Sequence, residues 1–455
     1  MHDFFFKGIL QSDGWHENVA VSVNPKGVIT QITNAQESEK CTGFALPGFQ
    51  NAHSHAFQYA MAGLAELHPT AMKKNDFWSW RESMYALALK VQPEHIEAIA
   101  AMLYKEMLRH GYTHVAEFHY IHRDLNGSSY ENKAELSERI ARAAQSVGIN
   151  LTIIPIYYEQ GGFGLPPQKE QRRFLSSSFE DYLELNAAVK TMATKYENCE
   201  VGFGIHSMRG VALENIIELA KHRTGNTPFH IHIAEQTKEI EDCIAFTGIR
   251  PTEWFANNIE LNENFHLVHA THLSENEISL LAKSAANVVI CPSTEGNLGD
   301  GIFPLDPYLK KGGKWSIGTD SHIGLNPFEE LRLLDYGQRL TTHSRNTFGN
   351  VSSGDNGAIA IKSALINGRK AMGVENEMYF KVGSSLDAVV ITDKHPLIQM
   401  TGIKNLTNTI VYASDSSMIE GTIVGGEWKI INKENNQTEI EDNFIQTMKV
   451  LSNRL

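Results

Sequence analysis

The chain has few cysteines, and no two of them are close in sequence. The four are Cys41, Cys199, Cys243 and Cys291. This spacing excludes a Cys-x-x-Cys redox or zinc pair. Two disulfide bridges would use all four, but a chain of 455 residues rarely needs such bridges, so reduced thiols are expected.

Long apolar runs are also missing: no stretch approaches the roughly 20 apolar residues that span a bilayer. Residues 1–7 are apolar over three positions only and carry no cleavage-site pattern. From these two observations and the reduced thiols, a cytoplasmic location is expected.

Basic residues are in the minority, with 40 Lys and Arg against 53 Asp and Glu, and the net charge is −13. Nucleic acids and acidic membranes need a basic face, so neither is an expected partner. An anionic small molecule would have to be held by a few local arginines.

What the chain does contain is typical of a soluble globular enzyme: 42% hydrophobic and 20% charged residues. Its length is enough for one large barrel and a satellite domain.

Both ends of the chain have strand-like patterns. Residues 19–23 and 28–32 flank an Asn-Pro-x-Gly turn, which is typical of a hairpin. In the tail, residues 386–391, 409–413 and 419–424 have the same character, and residues 439–455 read as an amphipathic closing helix. We therefore predict that the two ends meet in one small β domain.

The middle of the chain alternates between helical and strand-like segments. Helical periodicity covers residues 93–110 and 132–147, each followed by a glycine suited to a helix C-cap. Apolar strands at 113–118 and 151–156 come next. Such alternation over about 300 residues favours a parallel α/β architecture.

Candidate metal ligands lie where short apolar runs end. The set comprises His53, His55, His232, His269 and Asp320. Strand ends that converge on one point are how a (β/α)8 barrel builds its active site, and imidazoles with one carboxylate suit zinc. Each position alone has an ordinary alternative, such as a buried core histidine or, for the aspartate, a helix N-cap. His230, two residues before His232, we interpret as a core histidine.

Glu235 follows His232 by three residues, just beyond the strand. A carboxylate close to a metal-bound water or a substrate nitrogen is suited to proton transfer. The combined pattern of His-x-His, His, Glu, His and Asp therefore indicates metal-assisted hydrolysis.

This order of ligands resembles the amidohydrolase superfamily, and His232-x-x-Glu235 resembles its one-metal deaminase branch. Members with two metals need a bridging carboxylate or carbamylated lysine on a middle strand. The strand-like runs at 151–158 and 201–206 contain no lysine, so one metal ion is expected.

Within the superfamily the chain is most similar to the N-formimidoyl-L-glutamate deiminases. The resembling segments are residues 51–58 (NAHSHAFQ), 60–66, 76–81 (DFWSWR), 117–120 (EFHY) and 204–209 (GIHSMR). Tyr59 stands where the family usually has Arg, and Gly204-Ile205 where it has Ala-Pro.

The resemblance implies a (β/α)8 barrel of the amidohydrolase type with a small β-sandwich domain built from both chain ends. The implied segments are 1–46 and 376–430 for the small domain, 47–375 for the barrel and 431–455 for a helical end. It implies zinc held by His53, His55, His232 and Asp320, and a homodimer. Its implied substrate is a dicarboxylate, N-formimidoyl-L-glutamate, converted with water to N-formyl-L-glutamate and ammonia in histidine degradation.

Roles follow from the same resemblance. Asp320 takes a proton from the attacking water, Glu235 protonates the imino nitrogen and His269 stabilises the intermediate. The substrate-binding residues implied are Gln58, Arg81, Tyr120, His206 and Arg209. Guanidinium groups pair well with carboxylates, although surface Arg and Tyr are common without a ligand.

Two other functions share these ligands. An aminohydrolase of a ring substrate such as guanine would use the same metal site but has no need of two arginines. A scaffold that had lost its chemistry would not need Glu235 beside an intact ligand set.

Overall fold

The structure is a computed structural model that describes residues 2–64, 66, 77–345, 347–349, 354–374, 379–432 and 438–451. Its strands are β1 His2–Gln11, β2 Gly14–Val23, β3 Ile29–Asn34, β4 Phe44–Pro47, β5 Phe49–Ser54, β6 Tyr112–His119, β7 Asn150–Tyr157, β8 Cys199–Val201, β9 Phe203–Ser207, β10 Phe229–Ile233, β11 Phe265–His269, β12 Asn287–Ile290, β13 Lys314–Ile317, β14 Ala388–Ile391, β15 Ile419–Val424 and β16 Glu427–Ile431.

The helices are α1 Phe77–Ala88, α2 Pro93–Arg109, α3 Glu135–Val147, α4 Phe179–Ala193, α5 Leu213–His222, α6 Thr237–Thr247, α7 Pro251–Asn258, α8 Glu275–Ser284, α9 Pro292–Leu298, α10 Leu305–Lys310, α11 Pro327–Thr342, α12 Asn356–Ala371, α13 Pro396–Met400, α14 Leu406–Ala413 and α15 Glu439–Val450. None of the helices in these described ranges is both long and apolar enough to cross a membrane.

Eight parallel strands form a barrel in the order β5-β6-β7-β9-β10-β11-β12-β13, and β8 adds to β7. The first and last strands meet at their carboxyl ends, where the amide of Asp320 donates to the carbonyl of His53 (3.0 Å) and that of His55 to the carbonyl of Asp320 (3.2 Å). The predicted (β/α)8 architecture is therefore confirmed. The line along which β5 and β13 meet, called the seam below, runs through the candidate ligands.

A second, seven-stranded sheet has the order β16-β15-β14-β4-β1-β2-β3. Its strands come from both ends of the chain. Strand β4 joins the two sets, because it pairs parallel with β1 and antiparallel with β14. Alternating side chains build a separate core that includes Phe4, Phe6, Val21 and Val390. The prediction that the ends meet in a small β domain is confirmed.

The glycine signals also mark helix ends. Gly148 caps α3 with φ 79°, and Gly111 follows α2 with φ 95°, both in the left-handed region that favours glycine. A side chain on Gly111 would also meet Val389 of the small sheet at 2.6 Å, so this glycine lets the barrel and the small sheet pack closely.

One predicted strand is wrong: residues 409–413 belong to helix α14. Its buried side chains are Leu406, Thr407, Ile410 and Val411, a helical spacing that packs the helix against α11 and α12. The β-branched composition suggested a strand, but tertiary packing decides between the two. Of the predicted closing helix, residues 439–450 are helical, and residues 452–455 lie outside the described part, as do Ala65, Asp76 and the predicted boundary at 375/376.

Candidate metal centre and active site

Four predicted ligands converge at the carboxyl end of the barrel. The Nε2 atom of His53 lies 3.1 Å from Nε2 of His55 and 2.9 Å from Nε2 of His232. Oδ1 of Asp320 lies 3.1 Å from Nε2 of His53 and 3.0 Å from Nε2 of His55. All four side chains are buried, and their ligand atoms lie within 4.8 Å of one another.

This arrangement fits a divalent ion. Ligands about 2.0–2.1 Å from a tetrahedral zinc ion lie about 3.3 Å apart, close to the separations observed. The carbonyl of Phe118 accepts a hydrogen bond from Nδ1 of His55 (2.9 Å), which leaves Nε2 of that ring free to bind a metal. Burial lowers the pKa of His53 to about 3, so its ring is neutral, as a ligand must be.

Glu117 on β6 holds the loop that carries His55. Its carboxylate accepts hydrogen bonds from the hydroxyl of Ser54 and the amide of Ala56, both 2.6 Å, and from the hydroxyl of Tyr104 (3.0 Å). These donors occupy the carboxylate, so it supports the ligand loop. Sequence reasoning missed this role, although a glutamate inside an apolar strand was a signal.

Glu235 and His269 lie beside the ligand cluster. Oε1 of Glu235 is 3.7 Å from Nε2 of His269, and the Glu239 carboxylate accepts the amides of Ala234 (3.3 Å) and Glu235 (3.2 Å). Burial raises the pKa of Glu235 to about 7 even though the charge of His269 opposes this. The carboxyl group can therefore hold or give a proton near neutral pH.

Glu295 on α9 orients His269 from behind. Nδ1 of the ring donates to Oε1 of Glu295 (3.2 Å), which also accepts the amide of Cys291 (2.9 Å). Burial favours the neutral ring, but the carboxylates of Glu235, Glu295 and Asp320 outweigh it and raise the pKa of His269 to about 10. These carboxylates therefore favour the charged form of the His269 ring, and its partner Glu295 was not predicted.

The predicted substrate-binding residues line the space next to the cluster. Gln58 donates to the hydroxyl of Tyr120 (2.8 Å), and the Tyr120 ring lies 5.0 Å from that of His55. The ring of His206 lies 5.3 Å from that of His232 and stacks on Tyr158.

Arg81 and Arg209 share one cavity of about 470 Å³, which Phe163, Leu165 and Phe246 also line. Arg209 is buried, and Arg81 on α1 lies over the ring of Tyr85. The structure therefore brings the two arginines together, as a dicarboxylate site requires.

Several site residues have backbone angles that L-residues rarely adopt. Positive φ values occur at Ala234 (51°), His269 (68°), Ala270 (49°), Asp320 (48°) and His322 (66°). Such conformations cost about 1–3 kcal/mol each and cluster where function requires them. They turn the chain sharply at the strand ends and aim the side chains inward.

Comparison with known proteins agrees with this site. The chain belongs to the amidohydrolase family, whose model matches residues 44–429. It is 42% identical to formimidoylglutamate deiminase from Pseudomonas aeruginosa over 94% of this chain and 95% of that protein.

Solved structures show the same architecture. An amidohydrolase from Brucella melitensis is 36% identical with a TM-score of 0.89, over 99% of this chain and 100% of that one. An adenosine deaminase from Xanthomonas campestris, solved with bound zinc, is 20% identical with a TM-score of 0.79, over 99% of this chain and 98% of that one. At that identity the second likeness concerns the fold alone.

Proposed function

We propose that this protein is a formimidoylglutamate deiminase, which hydrolyses N-formimidoyl-L-glutamate to N-formyl-L-glutamate and ammonia in histidine degradation. One observation carries the assignment: the 42% identity to the Pseudomonas aeruginosa deiminase extends over nearly the whole of both chains. The protein is accordingly a hydrolytic enzyme that acts on C–N bonds.

We propose one zinc ion held by His53, His55, His232 and Asp320. The three facing imidazoles and the carboxylate support a divalent ion, and a structural neighbour was solved with zinc. When bound, such an ion lowers the pKa of a water toward neutrality and so supplies the nucleophile. Elemental analysis of the purified protein tests this proposal, because a ratio near two ions per chain would contradict it.

The surrounding residues then act in order. Asp320 accepts the proton of the attacking water, and the imidazolium of His269 stabilises charge on the oxygen. Glu235 donates its proton to the imino nitrogen, for which its raised pKa suits it. The hydroxyl proton of the adduct then passes through the carboxylate of Glu235 to the same nitrogen, so ammonia leaves as the carbonyl of N-formylglutamate forms. Asp320 finally loses its proton to solvent, and Glu235 takes one up.

Substrate choice depends on Arg81 and Arg209. They line one cavity, and both charges act on His206, whose ring lies 5.3 Å from that of His232. This supports a clamp for the two carboxylates, with Gln58, Tyr120 and His206 supplying further hydrogen bonds. Guanine carries no carboxylate, so this pair of arginines disfavours the alternative of a guanine aminohydrolase.

Ammonia release from formimidoylglutamate by Arg81→Met and Arg209→Met variants tests this reading. Each change should lower kcat/KM by about 10- to 150-fold, because the variant loses a hydrogen bond to a charged group. The zinc content should stay intact. Arg142→Met, which changes an exposed arginine on α3, is the control. Efficient deamination of guanine that Arg209→Met leaves untouched would refute the assignment.

We also propose a cytoplasmic homodimer. All four cysteines are free, which suits a reducing compartment. Helix α11 exposes Leu333, Tyr336 and Leu340 along one face. Two such helices packed antiparallel about Tyr336 and Gly337 set Leu333 of each copy against Leu340 of the other, a self-complementary contact of the kind that a two-fold dimer needs.

A further inference from the structure

A second carboxyl group, that of Asp300, lies beside Glu235. Asp300 follows α9 between Gly299 (φ 69°) and Gly301 (φ 130°), and its amide donates to the carbonyl of Glu295 (2.9 Å). These turns direct the side chain inward, so the residue is only 5% exposed. One of its carboxylate oxygens lies within 4.8 Å of an oxygen of Glu235 and a ring nitrogen of His269.

The two oxygens of Asp300 differ in their partners. Oδ1 accepts a hydrogen bond from Nε2 of Gln236. Oδ2 is buried and has no hydrogen-bond partner among the residues that the structure describes. Because an unpaired buried carboxylate oxygen is costly, its presence in an active site points to a ligand that donates to it.

The chemistry of that ligand follows from the charges. Glu235, Asp300 and Glu295 place three carboxyl groups around the ring of His269. Burial and the neighbouring Glu235 raise the pKa of Asp300 to about 9, so in the free enzyme this carboxyl group holds a proton, which a bound cation would replace. An amidinium group and ammonium are both cations that present N–H donors.

We propose that Asp300 and Glu235 form a subsite for the nitrogen that leaves, in which Oδ2 of Asp300 accepts an N–H hydrogen bond from the formimidoyl group and then from ammonia. The inference rests on the proposed function. When the C–N bond of the tetrahedral adduct breaks, its electron pair goes to nitrogen. The hydroxyl proton of the adduct reaches this nitrogen through Glu235, and the carbonyl forms. Asp300 neither gains nor loses a proton in this step.

A purely structural role for Asp300 would consist of holding the side chain of Gln236. Asp300→Asn separates the two roles, because asparagine keeps the size and the Oδ1 acceptor. It replaces Oδ2 with an NH2 group, which faces the N–H donors of the ligand instead of accepting from them. The structural role therefore survives this change, and the proposed one does not.

Calorimetric titration of the zinc-loaded enzyme with two probes tests the subsite. Acetamidinium carries the amidinium group without the glutamate, and N-formyl-L-glutamate lacks the leaving nitrogen. In Asp300→Asn the Kd of acetamidinium should rise by about 10- to 150-fold, as expected for a lost hydrogen bond to a charged group. The Kd of N-formylglutamate should change by less than about twofold on the same grounds, and kcat/KM for formimidoylglutamate should fall.

Asp335→Asn is the matched control, since Asp335 on α11 is also a buried aspartate with hydrogen-bonded neighbours and lies outside the site. It should leave both dissociation constants unchanged. Unaltered acetamidinium binding in Asp300→Asn, loss of both probes together, or failure of acetamidinium to bind the unmodified enzyme would each overturn the subsite. Failure of the proposed function shows separately, as absence of ammonia release from formimidoylglutamate by the unmodified enzyme.

Discussion

At the scale of single residues, the site depends on ionisable groups whose protonation is set by burial and by one another. Burial raises the pKa of Glu235 to about 7, whereas the neighbouring carboxyl groups raise the pKa of His269 to about 10. Burial also opposes ionisation of Asp320, but the adjacent rings of His53 and His55 hold its pKa well below the ordinary range. These shifts are the basis for the proposed roles of Glu235 as proton donor, His269 as cation and Asp320 as proton acceptor.

The proton donor can be removed without changing its size. Glu235→Gln should lower kcat by roughly 100-fold or more, because amide groups do not transfer protons at neutral pH. A carboxyl group with a raised pKa is protonated below that value, so activity that needs its proton should fall as the pH rises through about 7. A pH profile of kcat should lose this limb in the variant while zinc content stays normal. Turnover near that of the unmodified enzyme would assign the proton to another group.

Sequence alone predicted that His53, His55, His232 and Asp320 lie together, as they do, because strand-end positions and spacing mark them. It could not identify Glu117 or Glu295. Their partners Ser54 and His269 lie 63 and 26 residues away, so only the folded chain shows what each carboxylate contacts. Nor could it foresee the positive φ at His269, since that conformation is imposed by the packed strand ends around it.

At the scale of elements, strands β5 and β13 must approach closely for the ligands to meet. Gly318 follows β13, and a Cβ atom there would lie 2.7 Å from Cβ of His53 and 2.9 Å from its backbone nitrogen. Only a residue without a side chain fits this gap. The glycine therefore determines how near the two strands can lie.

Gly318→Ala should push β5 and β13 apart and weaken metal binding by at least 10-fold, as disturbance around metal ligands generally does. Competition with a chelator measures the metal Kd directly. Gly296→Ala on α9 is the control, because a Cβ atom there meets nothing within 4 Å. Equal metal affinity in the two variants would show that the seam tolerates a side chain.

The first turn of helix α11 carries the buried carboxyl group of Glu330, which makes the free energy of unfolding depend on pH. Glu330 accepts the amide of Ser293 (2.9 Å), and burial raises its pKa from about 4.5 to about 8. A raised carboxyl pKa means that the folded state binds more protons, so this stability is full below about 4.5 and is lost as pH rises through 8. Glu330→Gln should flatten the fall in Tm over this window, where one proton contributes at most about 1.4 kcal/mol per pH unit. A Tm profile that the substitution leaves unchanged would contradict the raised pKa of Glu330 in the folded state.

Element prediction succeeded where period and caps agreed, as for α2 and α3, and failed at residues 409–413. There the β-branched residues favour a strand, whereas the buried face of α14 follows helical spacing. Composition favours a strand and packing favours a helix at these residues. The sequence shows the composition but not the packing.

At the scale of the whole molecule, the alternating middle and the strand-rich ends were enough to predict the barrel and the small sheet. The division at residues 46, 375 and 430 stays a prediction. So does the dimer, since a single chain exposes its apolar faces whether or not a second copy covers them.

The exposed face of α11 gives the dimer a direct test. Leu340 is 76% exposed, and Leu340→Glu would place two charges in the proposed contact, which should convert the dimer to a monomer. Sedimentation velocity measures the change. Met400→Glu alters a side chain that is 84% exposed on α13 and should leave the mass unchanged. A dimer that survives the first change must use another face.

The seam that closes the barrel is built from the candidate metal ligands His53, His55 and Asp320 and their neighbours. Across it, the side chain of Asn51 donates to Thr319, 268 residues further along the chain (2.7 Å). Contacts between such distant residues form slowly during folding, because a large loop must close first. An ion that binds only the closed barrel also stabilises it by mass action. The supply of metal in the cell should therefore govern how long newly made chains resist proteases, in addition to how fast the enzyme turns over.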